Sequence, residues 1–408
     1  MTTPRTFIDF YCNWKTYGAN FNPINLPIDY IPQVSYAFFD IKLGNDGGYQ
    51  LVSTDTYADT DKKFTTNGVP PNDSWSDPPS IVAGCIGQFI KLKASGKKFT
   101  LRAAIGGWTL SKNFSLAVAN SATQNTFAQS IVDFLIKYPV FTGIDLDWEY
   151  LSNNGINYGN SGNNVSVSDP VNFFNFLTIL RSKLAVANLS SITIGACVCP
   201  APEKIAFDPK PLVPLLDYFE VMTYDFHDGA WGETISAHHS NPRKSSFSPY
   251  SCEGAADAWI AKGVPSTKIL IGVAAYSRGF SNTAGLGQTA SGGSTDKSVE
   301  TGIVNYSSLP LPGATEYFDP EAKAAYSYDP IKRIFNSYDN NASVAEKCLI
   351  VQQKNLAGLI CWESSGDAPV GNRCLAQTIY NTLLVGTPIP TPTPAPVPAP
   401  TPVPVPVP

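Results

Sequence analysis

Residues 141–150 read FTGIDLDWEY, and the alternation inside this stretch decides the architecture. Asp145, Asp147 and Glu149 are spaced by two, so on an extended strand their side chains point one way. Ile144, Leu146 and Trp148 point the other way. Both faces of such a strand are covered when one meets a barrel interior and the other meets surrounding helices. Carboxylates left unpaired in a low-dielectric interior are expensive, so a row of three is expected to serve chemistry rather than packing. A solvated acidic edge strand fits the neighbouring apolar residues poorly. A calcium loop is excluded by the missing D-x-D-x-D-G turn glycine.

Seven further short apolar runs flank this strand, at about 5–11, 33–39, 99–106, 191–198, 219–224, 268–275 and 357–363, giving eight in all. Helical periodicity fills several intervals, as in Phe127, Ile131, Phe134 and Leu135, or Phe173, Leu177, Leu180 and Leu184 after the start signal Asp169-Pro170. Strand and helix repeated eight times predict an α/β chain forming a (β/α)8 TIM barrel, with catalytic groups at the C-terminal ends of the strands. Two connections, about 40–98 and 280–357, are too long for one helix. The second contains VNYSSLP and PEAKAAYSYDPIKRIF, alternating and helical stretches that predict a small α+β insertion at about 281–347 between strands 7 and 8.

The expected domain is 1–386. Proline occupies every second position from 388 to 408, which imposes a polyproline II spacer on 387–408 and prevents a packed core. At about 3.1 Å per residue it would reach roughly 68 Å, and a further module attached beyond it is expected. Charged residues are 15% of the chain and the net charge is −5, which argues against a nucleic-acid partner. Apolar runs fall short of a membrane span, and a monomer is expected. The opening MTTPRTFIDFYCNW lacks the basic and apolar regions of a signal peptide, so the expected extracellular or released location has no visible leader. Eight cysteines without a CxxC pair read as scattered core thiols. The adjacent His238 and His239 diverge, so neither a metal nor a cofactor is expected.

Crowded carboxyls cannot all ionise, and the one that keeps its proton near neutral pH can act as a general acid. Glu149, nearest the strand's C-terminal end, is the natural choice. Glycoside hydrolysis commonly places two carboxylates on opposite sides of the scissile bond. Neighbours on one strand face approach from the same side, which suits a nucleophile supplied by the substrate.

The segment TGIDLDWE resembles the D-G-x-D-x-D-W-E signature of glycoside hydrolase family 18, the chitinases and endo-β-N-acetylglucosaminidases. Further matches follow in order: NW at 13–14, YAF at 36–38, AIGGW at 104–108, MTYDFHDGAW at 222–231, AYSRG at 275–279 and CWESSGD at 361–367. The resemblance covers about 5–384. It implies that Glu149 protonates the glycosidic oxygen while the sugar's own acetamido oxygen attacks, giving an oxazolinium ion and retention. It makes Asp147 the acceptor of the acetamido N–H, Asp145 its inner neighbour, and Tyr224 the donor to the acetamido carbonyl. Asp225 would bind sugar hydroxyls, with Met222 beside the pocket and Arg278 contacting the chain or orienting the carboxylates. Trp362 would floor the site; Trp14, Trp108 and Trp231 would line outer subsites, with Phe10, Phe38 and Tyr150 also on the substrate side. Chitin or its oligomers is the implied partner. N-glycan cleavage and a chitin-binding lectin without activity are the alternatives, the latter disfavoured because Glu149 is present.

Three positions depart from the signature pattern. Thr142 replaces its first Asp, while Ala104 and Phe10 stand where a Ser and a Tyr normally give hydroxyls to the innermost aspartate. Deprived of these donors, Asp145 is expected to share a proton more readily with Asp147. Ser277 and Asp228 are milder departures.

Overall fold

In a computed structural model of the chain, the described residues are 5–386 apart from 46, 66–72, 79, 152–154, 157–161 and 297–301. The expected spacer at 387–408 lies outside them. Eight parallel strands close into a barrel: β1 (Thr6–Cys12), β2 (Gln33–Leu43), β4 (Thr100–Gly106), β5 (Phe141–Asp147), β6 (Thr193–Val198), β7 (Tyr218–Val221), β8 (Ile269–Ala274) and β13 (Gly358–Trp362). Pairing runs in chain order, and β1 meets both β13 and β2 to seal the ring. All eight predicted apolar runs are barrel strands. The extra strand β3 (Tyr49–Ser53) lies antiparallel on the far end of β2, which accounts for part of the first long connection.

The helices are α1 (Gly84–Ala94), α2 (Phe114–Ala117), α3 (Ser121–Lys137), α4 (Asp169–Val186), α5 (Cys252–Ala261), α6 (Asn341–Gln353) and α7 (Leu375–Ile379). Their apolar stripes and the outward strand residues form the main core, with Ile144, Leu146 and Trp148 packed among Phe127, Phe173 and Phe176. Inside the barrel a second cluster includes Ile8, Phe10, Ala104, Met222, Tyr224 and Ile360. The alternation read in FTGIDLDWEY therefore separates two apolar environments, as predicted. All eight cysteines are buried and unbridged.

The regular structure of the insertion is mainly sheet rather than helix. Strands β9 (Arg278–Phe280), β10 (Thr315–Asp319), β11 (Ala324–Asp329) and β12 (Ile334–Tyr338) pair antiparallel in the order β10-β11-β12-β9. Residues of PEAKAAYSYDPIKRIF, read as a helical stretch, instead form the β11–β12 hairpin. Pairing of β12 on β9 and packing of Tyr326 and Phe335 with Phe280 outweigh that local propensity. Helix α6 follows immediately and carries Lys347, which is fully buried and 2.5 Å from Asp339. Its ammonium also donates to Gly272 O on β8 and to Ser240, so insertion, helix and barrel meet at one cation. Lys347→Met should cost about 3–5 kcal/mol in urea unfolding, because Asp339 would remain buried and unpaired; a loss below about 1 kcal/mol would contradict this role.

Candidate active site

The carboxyl row stands where β5 ends. Asp145 is fully buried, Asp147 is nearly so, and Glu149 follows just past the strand at 9% exposure. The turn beyond the strand is fixed from outside the signature. Ser111 donates to Asp147 O at 3.1 Å and receives the Glu149 backbone N–H at 2.8 Å, while Asn163 donates to Glu149 O at 2.8 Å. Gly106 and Gly107, at φ +105° and +90°, allow the adjoining loop to pass close by; a Cβ on Gly107 would sit 2.7 Å from the Phe38 ring.

Burial raises the Asp147 carboxyl to about 7, with the charge of Asp145 adding and a hydrogen bond from Cys197 opposing. Burial also lifts Glu149 well above the ordinary glutamate range, reinforced by Asp147 and opposed by the Tyr150 hydroxyl. The two acids titrate as a pair, and one proton between them near neutral pH is the state this geometry favours.

Asp145 differs from the expectation. Its oxygens accept from Arg102 Nε at 2.8 and 3.0 Å, Arg102 Nη2 at 2.5 Å and Ser35 Oγ at 2.5 Å. The loss of hydroxyls at Phe10 and Ala104 is thus made good by a buried guanidinium and a serine from β2. Asp145 therefore faces a cation in a buried ion pair. Thr142 is exposed on the outer face, away from this row.

Tyr224 follows β7 and is pressed into the barrel mouth. A Cβ on Gly272 would come within 2.7 Å of its ring, so that glycine makes the space the tyrosine occupies. Met222 is buried in the same interior cluster, beside Cys197 and Tyr224. Asp225 adopts φ +58°, a backbone conformation that costs a non-glycine residue about 1–3 kcal/mol and is held here by many contacts. It accepts from Arg278 Nε at 2.8 Å, Arg278 Nη2 at 3.0 Å and the Tyr276 hydroxyl at 2.6 Å. Arg278 and His239 together hold its carboxyl below the usual range, overcoming the opposing effect of burial. Arg278 also pairs with Asp228 at 3.0 Å and lies 5.0 Å over the Trp231 ring. His238 points the other way, to Asp319 at 3.1 Å in the insertion, so the two histidines do diverge.

Aromatic rings surround the acids on the opposite side. Trp362 stacks on Phe38 at 5.5 Å, meets Phe10 edge-on at 5.6 Å and lies 6.4 Å from Trp14. Trp108 lies 6.4 Å from Tyr150. Trp14, Trp108 and Trp231 are 41%, 46% and 53% exposed, so each leaves ring surface open to solvent. Sequence reading missed Ser35, Arg102, Ser111, Asn163, Cys197, Glu220, His239 and Tyr276. The polar residues Arg102 and Glu220 inside otherwise apolar strand runs, LRAAIGG and YFEV, were the available signal. Among the described residues no group of three or more His, Cys, Asp or Glu is placed to hold a metal ion.

A buried acid pair at the open end of a parallel barrel, faced by rings with exposed surface, defines a glycoside hydrolase. The chain belongs to glycosyl hydrolases family 18, whose model matches residues 6–367. It is 35% identical to Endochitinase 1 of Metarhizium robertsii over 88% of this chain and 80% of that relative. It is 34% identical to Chitinase 1 of Aphanocladium album over 92% and 84%. The solved chitinase ChiA74 from Bacillus thuringiensis superposes with TM-score 0.81 at 27% identity, covering 95% of this chain and 71% of that one.

Because the oxygens of Asp145 are already supplied with donors, Phe10→Tyr combined with Ala104→Ser should leave the pH at half-maximal kcat/KM on the acid side within about 0.3 of the parent. A clear shift toward higher pH would show that Asp145 had lacked donors after all, because a newly charged Asp145 would raise Asp147.

Proposed function

We propose that this chain is a chitinase that hydrolyses β-1,4-linked N-acetylglucosamine polymers with retention of configuration. The names of its family relatives support the substrate. The observation that carries the mechanism is the fate of the carboxylates at the mouth. Asp147 ends β5 and Glu149 follows it two residues on, so both approach from one side, and Asp225 is engaged by Arg278, Tyr276 and His239. That leaves the acetamido oxygen of the substrate as the nucleophile.

In this reading Glu149, kept protonated by burial and by Asp147, donates to the glycosidic oxygen. Asp147 accepts the acetamido N–H and turns the carbonyl oxygen toward the anomeric carbon, while the Tyr224 hydroxyl donates to that carbonyl. The acetamido oxygen bonds to the anomeric carbon as the C–O bond to the leaving sugar breaks. Glu149, now ionised, takes a proton from water, which opens the oxazolinium ion from the same face. Electrostatic stabilisation of the cation by Asp147 is the largest single contribution expected. Trp362, on the platform with Phe38 and Phe10, supports the reacting sugar from below. Trp14, Trp108 and Trp231 stack on outer sugars, Tyr150 and Met222 wall the pocket, and Asp225 binds hydroxyls in the setting fixed by Arg278.

The catalytic unit is read as 1–386 working as a monomer on chitin or chitooligosaccharides, with 387–408 as its spacer. Among the described residues no helix is long and apolar enough to cross a membrane.

Glu149→Gln should lower kcat by about 10² to 10⁴ while chitin-oligomer binding by calorimetry persists, since the amide keeps the shape but not the proton. Comparable activity in that variant would remove Glu149 from the acid role. On the parent enzyme, kcat/KM should fall as pH drops through about 7, where Asp147 takes up a proton, and hold on the alkaline side while Glu149 keeps its own. A profile flat from pH 7 down to 4 would contradict that assignment. Colloidal chitin should yield small oligomers and a high-mannose glycoprotein none; release of its glycan would instead indicate an endo-β-N-acetylglucosaminidase.

A further inference from the structure

Below the acid pair lies a second polar layer that the reaction as described does not use. Arg102 is fully buried on β4, and every nitrogen of its guanidinium is engaged. Nε and Nη2 bond to Asp145, Nη2 also to Ile144 O at 2.9 Å, and Nη1 to Thr193 Oγ1 at 2.6 Å and Gln33 Oε1 at 3.2 Å. The guanidinium also lies 5.4 Å over the Tyr218 ring. Glu220, fully buried on β7, reaches the same aspartate from the opposite side. A Cβ on Gly195 would stand 2.0 Å from Glu220 Oε1 and 2.6 Å from Asp145 Oδ1, so the two carboxyl oxygens converge over that glycine. Among the described residues no group donates to Glu220 Oε1, which suits an oxygen that carries a proton and gives it to Asp145. Its other oxygen receives the Cys197 thiol at 3.5 Å.

We propose that Arg102, Ser35 and a neutral Glu220 lock Asp145 as a permanent carboxylate, making it a fixed negative charge beneath Asp147 instead of a store for Asp147's proton. Arg102 and Glu220 are positioning residues here, acting through Asp145, and the proposal rests on the roles given above to Asp147 and Glu149. The charge count of the layer follows from its contacts. One guanidinium offsets one carboxylate, and a second carboxylate facing the first without a cation of its own could not ionise beside it. The groups facing Asp145 are Ser35 on β2, Arg102 on β4, Asp147 on its own strand, Cys197 on β6, and Tyr218 and Glu220 on β7. Arg102 supplies the positive charge among them. Burial and the charge of Asp145 both push Glu220 well above the ordinary glutamate range, in keeping with its neutrality.

With the lower layer locked, the mobile proton belongs to Asp147 and Glu149 alone. The negative charge below raises the pH at which Asp147 is half ionised, and so sets where the acid limb of the rate profile falls. Removing the guanidinium would leave the layer without its cation, and the fixed charge under Asp147 would no longer be held there.

The test measures kcat/KM against pH on a soluble chitooligosaccharide for two variants, with folding read by thermal melting. Arg102→Met should move the acid limb down by about one pH unit. Glu220→Gln exchanges one neutral donor for another of the same shape and should leave the limb within about 0.3 of the parent, whatever it does to the rate. A folded Arg102→Met enzyme with the parent's limb overturns the proposal. So does a Glu220→Gln limb clearly displaced in either direction, which would mean that Glu220 carries charge in the parent layer. The second variant decides the matter by itself if the first does not fold. Failure of the Asp147 and Glu149 assignment would appear separately, as retained activity in Glu149→Gln.

Discussion

Three carboxyl groups stand in one row at the end of one strand of a closed barrel, and the rest of the molecule is arranged around the cost of keeping them there. In low dielectric each ionised member raises its neighbours, so the row can exist only if charge is divided along it. The division follows depth. Asp145 at the bottom is matched by Arg102 and Ser35. Among the described residues Asp147 and Glu149 above it face no cation directly, and burial raises both. A stack of this kind separates a fixed charge from a movable proton, which is what an acid catalyst working through a substrate nucleophile requires.

The rim repeats the same logic with the opposite emphasis. Asp225 would be a rival carboxylate at the mouth, but Arg278 neutralises it and Tyr276 and His239 orient it. Arg278 is delivered by β9, the strand that begins the insertion and pairs with β12. The insertion is therefore tied to the chemistry through one guanidinium, beyond forming a wall beside it. Lys347 ties the same region to β8 from behind. Long excursions from a barrel strand can remain in register with the site when a buried cation fixes each end.

Much of this was legible in the sequence because it is local. The period of two in FTGIDLDWEY, the apolar runs and the helical stripes each depend on residues a few positions apart, and all appear in the fold. The parts that escaped are contacts between distant strands. Arg102 reads as a lone charge in an apolar run and Glu220 as another, and only closure of the barrel brings them to Asp145 from 43 residues before it and from the far side of Gly195. The departures at Phe10 and Ala104 were visible as missing donors, whereas the replacement donors were not. The same holds for the β11–β12 hairpin, whose helix-forming composition yields to pairing with β9.

The central claim is that the substrate's acetamido oxygen, helped by Asp147 and Tyr224, carries out the displacement while Glu149 supplies the proton. Its most direct measurement is the anomeric configuration of freshly released product, followed by proton NMR before mutarotation. The account predicts that the β-anomer forms first. Initial release of the α-anomer would mean direct attack by water and would contradict it.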